Sequence, residues 1–331
     1  MAVFDVMFLP DRPPADIAKL ARLVEDEGFG GLWVADEVPV PGFRDPWATL
    51  IIAALNTQRI RLGPGIAIPY HDHPVLMAVA VATLNEVSNG RAFLAIGRGG
   101  SMPLKPIGID GWEKPMTALR ESVEIIRGLF EGKTVEYEGE VFKARSVKLS
   151  PKPKTKIPIY LAARGPKTLG LAGRIADGVI MGLPPAALKY AINLVRKGAS
   201  KSGREFNELD VSNQVNLSVS RDERKARAAL KLETGWILSN SPQFALKSIG
   251  VTEKEVNALR EALKKGPTAA LSLITDKMID GLNVAGKPDY CIKRLEECIE
   301  NGLKHFVLNI PLTHEPFEAI KLVTKEILPS F

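Results

Sequence analysis

Three short stretches gather groups able to do chemistry. Asp36 and Glu37 stand side by side after the apolar run Gly31–Ala35. Adjacent acids there suit general acid/base work or hydrogen bonding to a substrate; the same pair could also cap a helix and carry surface charge. In "AARGPKTLGLAGRIADG" (162–178), Arg164, Gly165, Pro166, Lys167 and Thr168 open a helix. Free N–H groups, a positive helix end, a guanidinium, an ammonium and a hydroxyl converge there, which is a good site for a phosphate. A proline-started helix with basic surface residues would read the same way. In "LNEVSNGRAFLAIGRGG" (84–100), Gly97, Gly99 and Gly100 surround Arg98 after a short apolar run. Such glycines let something flat or bulky approach the backbone, or form a loose turn. They are not a Walker A loop, whose closing Gly-Lys-Ser/Thr is missing. His71 and His73 lie two apart with no Cys or Glu in register, so no metal is expected. Tyr70 is the better candidate to line a pocket.

These stretches need elements to position them, and the chain alternates strand and helix throughout. Strands are expected at Val3–Leu9, Gly31–Ala35, Ile60–Ile66, Ala92–Gly97, Ile157–Ala162, Gly178–Met181, Leu209–Ser218 and His305–Ile310. A helix follows each, and most open on proline: Pro13-Pro14, Pro46, Pro74, Pro115, Pro166, Pro185 and Pro316. Eight strand–helix units predict an α/β fold, a closed (β/α)8 TIM barrel with insertions, read as a single domain over 1–331. The insertions are a hairpin at about 133–150, turning at Glu138-Gly139, and a helical excursion at about 236–280. An open doubly wound sheet would want a glycine fingerprint after the first strand, where Leu9-Pro10-Asp11 stands. In a parallel barrel the chemistry sits at the carboxyl ends of the strands, which is where the three stretches fall.

Composition sets the class. The 331 residues are 45% hydrophobic and 25% charged, as in a soluble globular protein. The longest apolar run, Val75–Leu84, is half a membrane span, and the first ten residues read as a strand rather than a targeting segment. A cytoplasmic protein without membrane or nucleic-acid partners is expected. The net charge of +6 comes from basic residues interleaved with acids, which reads as a solvated surface rather than a nucleic-acid groove, and the mild positive field would also favour an anionic small molecule. Cys291 and Cys298, seven apart on one helix, read as unbridged core thiols.

Three of these segments, in this order, resemble the bacterial-luciferase-like family of flavin and F420 oxidoreductases: "LGPGIAIPY", "TLNEVSNGRAFLAIGRG" and "AARGPKTLGLAGRIADG". "GIDGWEKP" and "GPGIAIPY" resemble most closely its F420-dependent methylenetetrahydromethanopterin reductases. The resemblance implies a homo-oligomer (dimer or tetramer) that binds coenzyme F420, or alternatively FMN, at the barrel mouth. It would pass a hydride between the deazaflavin and a small substrate such as a methylene-pterin. The alternatives are an FMN-dependent monooxygenase and a non-catalytic flavin-binding relative. By the same resemblance, a cis peptide at Gly65–Ile66 would back the ring, and Gly97, Arg98 and Gly99 would lie beside it. Gly165, Pro166, Lys167 and Thr168, with Arg164, would hold the phosphate. The reductases carry acids where this chain has Met7 and Gly100. Glu37, beside the retained Asp36, is therefore the expected substitute acid.

Overall fold

A computed structural model describes residues 2–39, 41–100, 104–310 and 316–331. The barrel strands are β1 (Val3–Phe8), β2 (Gly31–Val34), β3 (Arg61–Pro64), β4 (Leu94–Ile96), β7 (Ile159–Ala162), β8 (Gly178–Met181), β9 (Asp210–Val219) and β11 (His305–Asn309). All pair in parallel, in the order β3-β2-β1-β11-β9-β8-β7-β4. Parallel bridges Leu62–Ala92 and Ala67–Ile96 join β3 to β4 and close the ring. β10 (Val284–Gly286) pairs with the far end of β9.

The helices around the ring are α1 (Pro14–Asp26), α2 (Pro46–Leu55), α3 (Pro74–Val87), α4 (Pro115–Phe130), α5 (Pro166–Ile175), α6 (Pro185–Lys201), α7 (Glu223–Ser239), α12 (Pro288–Glu300) and α13 (Pro316–Glu326). Proline fixes φ at the first helical position, where its missing N–H costs nothing. The expected strand ends shift by a residue or two, because several apolar flanking residues leave the ladder while staying buried. The α2–β3 connection is tied to α1 by Glu25, whose carboxylate accepts from the backbone N–H groups of Gln58, Arg59 and Ile60. Arg91, just before β4, ties the same connection to its own, donating to the carbonyls of Ala54, Thr57, Ile60 and Ser88.

The expected hairpin is β5 (Val135–Glu138) and β6 (Lys143–Val147), paired antiparallel. The buried Glu121 of α4 holds its turn by accepting from the N–H groups of Glu140, Val141 and Phe142. Between α7 and β10 lie α8 (Gln243–Ser248), α9 (Glu253–Lys265), α10 (Pro267–Leu271) and α11 (Asp276–Leu282). They form a second apolar cluster around Leu230, Leu238, Val256, Leu259 and Ile279. Cys291 and Cys298 are free and fully buried on α12, and burial pushes both thiols up to about 12.

The barrel interior is stratified. At its amino end Asp5, Arg61, Tyr160, Asp210 and His305 form a charged layer. His305 Nε2 lies 2.9 Å from Asp5 Oδ2, and its Nδ1 lies 3.0 Å from Asp210. Tyr160 donates to Asp210 at 2.7 Å, and Trp33 Nε1 donates to Asp5 at 2.8 Å. Above this layer Met7, Trp33, Phe93, Ala95, Ile180 and Val307 make an apolar plug. Above the plug the barrel opens.

Candidate active site at the barrel mouth

The mouth is floored by the plug and by the bulge after β3. The Gly65–Ile66 peptide is cis. Ile66 packs on the plug, and Met7 lies directly under Gly65, its Cε 2.6 Å from where a Cβ there would stand. A Cβ at Gly97 would stand 2.1 Å from Ile66 Cδ1, and one at Gly99 would stand 2.5 Å from Ile68 Cδ1. These glycines therefore admit the bulge's own isoleucines against β4. Together they leave a flat apolar shelf of Ile66, Ala162 and backbone, suited to a planar ring.

Two cations flank the shelf. Arg98 follows β4 and Arg164 follows β7, its neighbour in the ring. Neither is paired with a carboxylate among the described residues. Burial, and then the charge of Arg98, holds Arg164 down to about 10, still protonated at neutral pH. Burial also lowers Arg98. Trp112 positions Arg98: its ring lies 4.1 Å from the guanidinium, and its indole N–H donates to the Arg98 carbonyl at 2.7 Å. Tyr70 holds the same strap, donating to the Glu113 carbonyl at 2.8 Å. Two unneutralised guanidiniums side by side are costly unless an anion joins them.

Helix α5 starts at the same place. Gly165 is its N-cap, but the expected phosphate hydroxyl is engaged. Thr168 Oγ1 accepts from the Gly165 N–H at 3.2 Å and donates to the Gly165 carbonyl at 2.9 Å. Pro166 has no N–H, so the first-turn N–H groups of Lys167 and Thr168 are those free for an anion. The Lys167 side chain is exposed.

Acids occupy the other side. Asp36 is buried, its Oδ2 3.1 Å from His71 Nε2. Burial works against a charged His71, but the Asp36 contact outweighs it and raises the imidazole. His73 accepts from the Val75 N–H and caps α3, so the two histidines serve different partners. Neither Asp36 nor Glu37 caps α2; Asp45 does. Glu37 is half-buried, and burial, then Asp36, pushes it up to about 7.

A third acid was missed from the sequence. Glu233 of α7 reaches over the end of β11 and accepts a hydrogen bond from Asn309 Nδ2. Burial raises it, the Asn309 bond opposes the rise and the Glu37 charge adds to it; the result is about 7. Its sequence setting, "KLETGW", is that of a solvated helix face.

A parallel barrel with an anion-holding, apolar-floored mouth and carboxyl groups poised near neutrality is the site of an enzyme that binds a large anionic cofactor or substrate. The chain belongs to the luciferase-like monooxygenase family, whose model matches residues 2–305. It is 39% identical to a 5,10-methylenetetrahydromethanopterin reductase of Archaeoglobus fulgidus, over 98% of each chain. It is 34% identical to that of Methanolobus tindarius, over 98% of this chain and 99% of the other. A solved F420-dependent tetrahydromethanopterin reductase of Methanopyrus kandleri superposes with a TM-score of 0.89 at 32% identity, covering 100% of this chain and 99% of the other. Among the described residues no helix is long and apolar enough to cross a membrane.

Proposed function

We propose that the protein is a coenzyme F420-dependent oxidoreductase acting on a methylene-pterin of the kind its reductase relatives are named for. One observation carries the reading: the unneutralised Arg98–Arg164 pair beside the α5 start, at the edge of a flat apolar shelf. The residues present fit the group. F420 joins a planar deazaflavin to a phosphate and an acidic tail, and the shelf and the cation pair match these two parts. Bound there, the deazaflavin supplies a hydride; the chain supplies position, desolvation and a proton.

Arg164, Arg98 and the α5 N–H groups hold the anionic part, with Lys167 at the solvent edge. The Gly65–Ile66 bulge backs the ring, while Gly97 and Gly99 let β4 close against it. Asp36, fixed by His71, braces the loop that presents Glu37 to the mouth, where it takes part in moving the proton. The outer faces of α2 and α3 expose Leu55, Leu76 and Val79. A second copy of the chain covers them in this reading, giving a homo-oligomer. Free buried thiols fit a reducing cytoplasm.

Fluorescence titration with F420 and with FMN tests the assignment. F420 is expected to bind about 100-fold tighter than FMN, two more charge-assisted contacts accounting for the difference. Tighter FMN binding would favour the monooxygenase reading, and binding of neither would remove the anion site.

A further inference from the structure

Glu233 has an unusual situation for a carboxylate. It lies at the mouth, half-buried, with no lysine or arginine bridged to it among the described residues. Its hydrogen-bonding partner is a neutral amide whose orientation is fixed. Asn309 Nδ2 also donates to Asn216 Oδ1 at 3.0 Å. Asn216 donates to Asn283 Oδ1 at 2.9 Å, and Asn283 to Thr234 Oγ1 at 2.8 Å. Thr234 follows Glu233 on α7. The network thus runs from β11 through β9 and back to the helix, and holds the Glu233 carboxyl in one place over the barrel.

That place is specific. Asn309 is the register partner of Met7 on β1 and of Asn216 on β9. Met7 floors the shelf, so Asn309, with the Glu233 carboxyl bonded to it, stands one strand away from that floor. Glu37 approaches from β2, on the other side of β1. The remaining charged groups packed on α7 are engaged elsewhere: Asp280 with Arg227, and Arg260 with the Ser239 carbonyl. Behind Glu37 stand Asp36 and His71. Among the described residues no lysine or arginine bridges Glu233, and the Glu37 charge adds to burial in raising it; carboxyls so placed disfavour a second charge.

Resting on the function proposed above, we infer that Glu233 is the proton donor to the substrate and Glu37 the anionic partner that keeps it charged with that proton. In reduction of a methylene bridge, the bond from the bridging carbon to one nitrogen breaks. The electron pair goes to that nitrogen, which takes the Glu233 proton. The carbon, still bonded to the second nitrogen, accepts a hydride and becomes a methyl group. The substrate gains two electrons and the reduced deazaflavin loses two. The proton that the deazaflavin releases on oxidation restores, through solvent and Glu37, the one Glu233 gave up.

The test begins with the full chain alone. Infrared difference spectra from pH 5 to 9 are expected to show buried carboxylic acids that deprotonate near pH 7. Glu233→Gln removes one of two buried acid bands near pH 7 and leaves that of Glu37, and Glu37→Gln shifts the Glu233 band to lower pH by removing the neighbouring charge. In turnover, Glu233→Gln lowers kcat about 100-fold with KM within about 3-fold, and abolishes the fall in kcat above pH 7. Glu233→Asp restores part of the rate. Thermal melts confirm that the variants are folded, as loss of an uncompensated charge predicts. A band titrating in the ordinary carboxylate range, or unchanged kcat in Glu233→Gln, overturns the inference. Failure of the wild type to turn over with reduced F420 overturns the function instead, and the infrared titration still decides whether the two carboxyls titrate near pH 7.

Discussion

The two ends of the barrel interior use the same side chains to opposite effect. At the amino end, acids and bases alternate: Asp5 meets His305 and Arg61, and Asp210 meets His305, Tyr160 and Arg61. At the mouth they are sorted. Arg98 and Arg164 stand together after β4 and β7, while Glu37 and Glu233 stand over β2 and β11, on either side of β1. In the ring order β1 lies opposite β7, so cations and anions face one another across the opening. Compensated charge fixes a structure. Sorted charge, unpaired among the described residues, does not fix a structure in that way and leaves its groups open to a ligand.

The difference can be broken first at the amino end. Asp5→Ala leaves His305, Arg61 and the Trp33 N–H without their shared acceptor, and is expected to cost about 3–5 kcal/mol in denaturant unfolding. A loss under about 1 kcal/mol would mean that the layer is not what holds this end together.

The same layer sets a pH dependence. Burial opposes a charge on His305, but its hydrogen bonds to Asp210 and Asp5 lift it to about 9, above the ordinary 6.5. The stabilisation is fully present below pH 6.5 and disappears as pH rises through about 9. It amounts to at most about 3 kcal/mol. Unfolding midpoints at pH 6 and pH 9.5 should differ in that sense, and His305→Gln should flatten the slope.

At the mouth the sign reverses. Arg164→Gln is expected to weaken F420 binding by about 30- to 100-fold. Removing its charge from beside Arg98 should leave the apo-protein as stable as wild type, or more stable by about 1 kcal/mol. Loss of both affinity and stability would assign Arg164 to the frame of the barrel and erase the contrast between its ends.

The sequence carried the scaffold more clearly than the site, for a physical reason. Strand–helix alternation and the helix-opening prolines are local signals, so eight units and a barrel were legible. That Arg164 and Lys167 gather at the start of α5 was legible because a helix terminus is itself a local feature. The role of Gly97 and Gly99 was only half legible. Their sequence shows that small residues are required, and the fold shows that Ile66 and Ile68 require them. Thr168 looked like a ligand and closes a turn with Gly165. Glu233 was invisible because its partners arrive from Asn309, 76 residues along, and from Glu37 at the other end of the chain. The Asp5–His305 contact spans 300 residues and left no local trace either.

The finest contrast lies within the anion site. Lys167 and Arg164 both read as basic residues at one helix start, yet Lys167 is exposed, whereas Arg164 is half-buried and feels the charge of Arg98, itself exposed. A charge in water is screened and contributes little, whereas one held in the wall of the mouth acts at full strength on a bound anion. Lys167→Ala should therefore weaken F420 binding by no more than about 3-fold, and the loss should vanish as salt is raised. The loss in Arg164→Gln should persist at the same salt. Parallel titrations at two ionic strengths separate the two residues. A Lys167 effect as large as that of Arg164 would place the phosphate outside the helix start, at the solvent edge, and would reduce the cation pair to an attractor for the acidic tail.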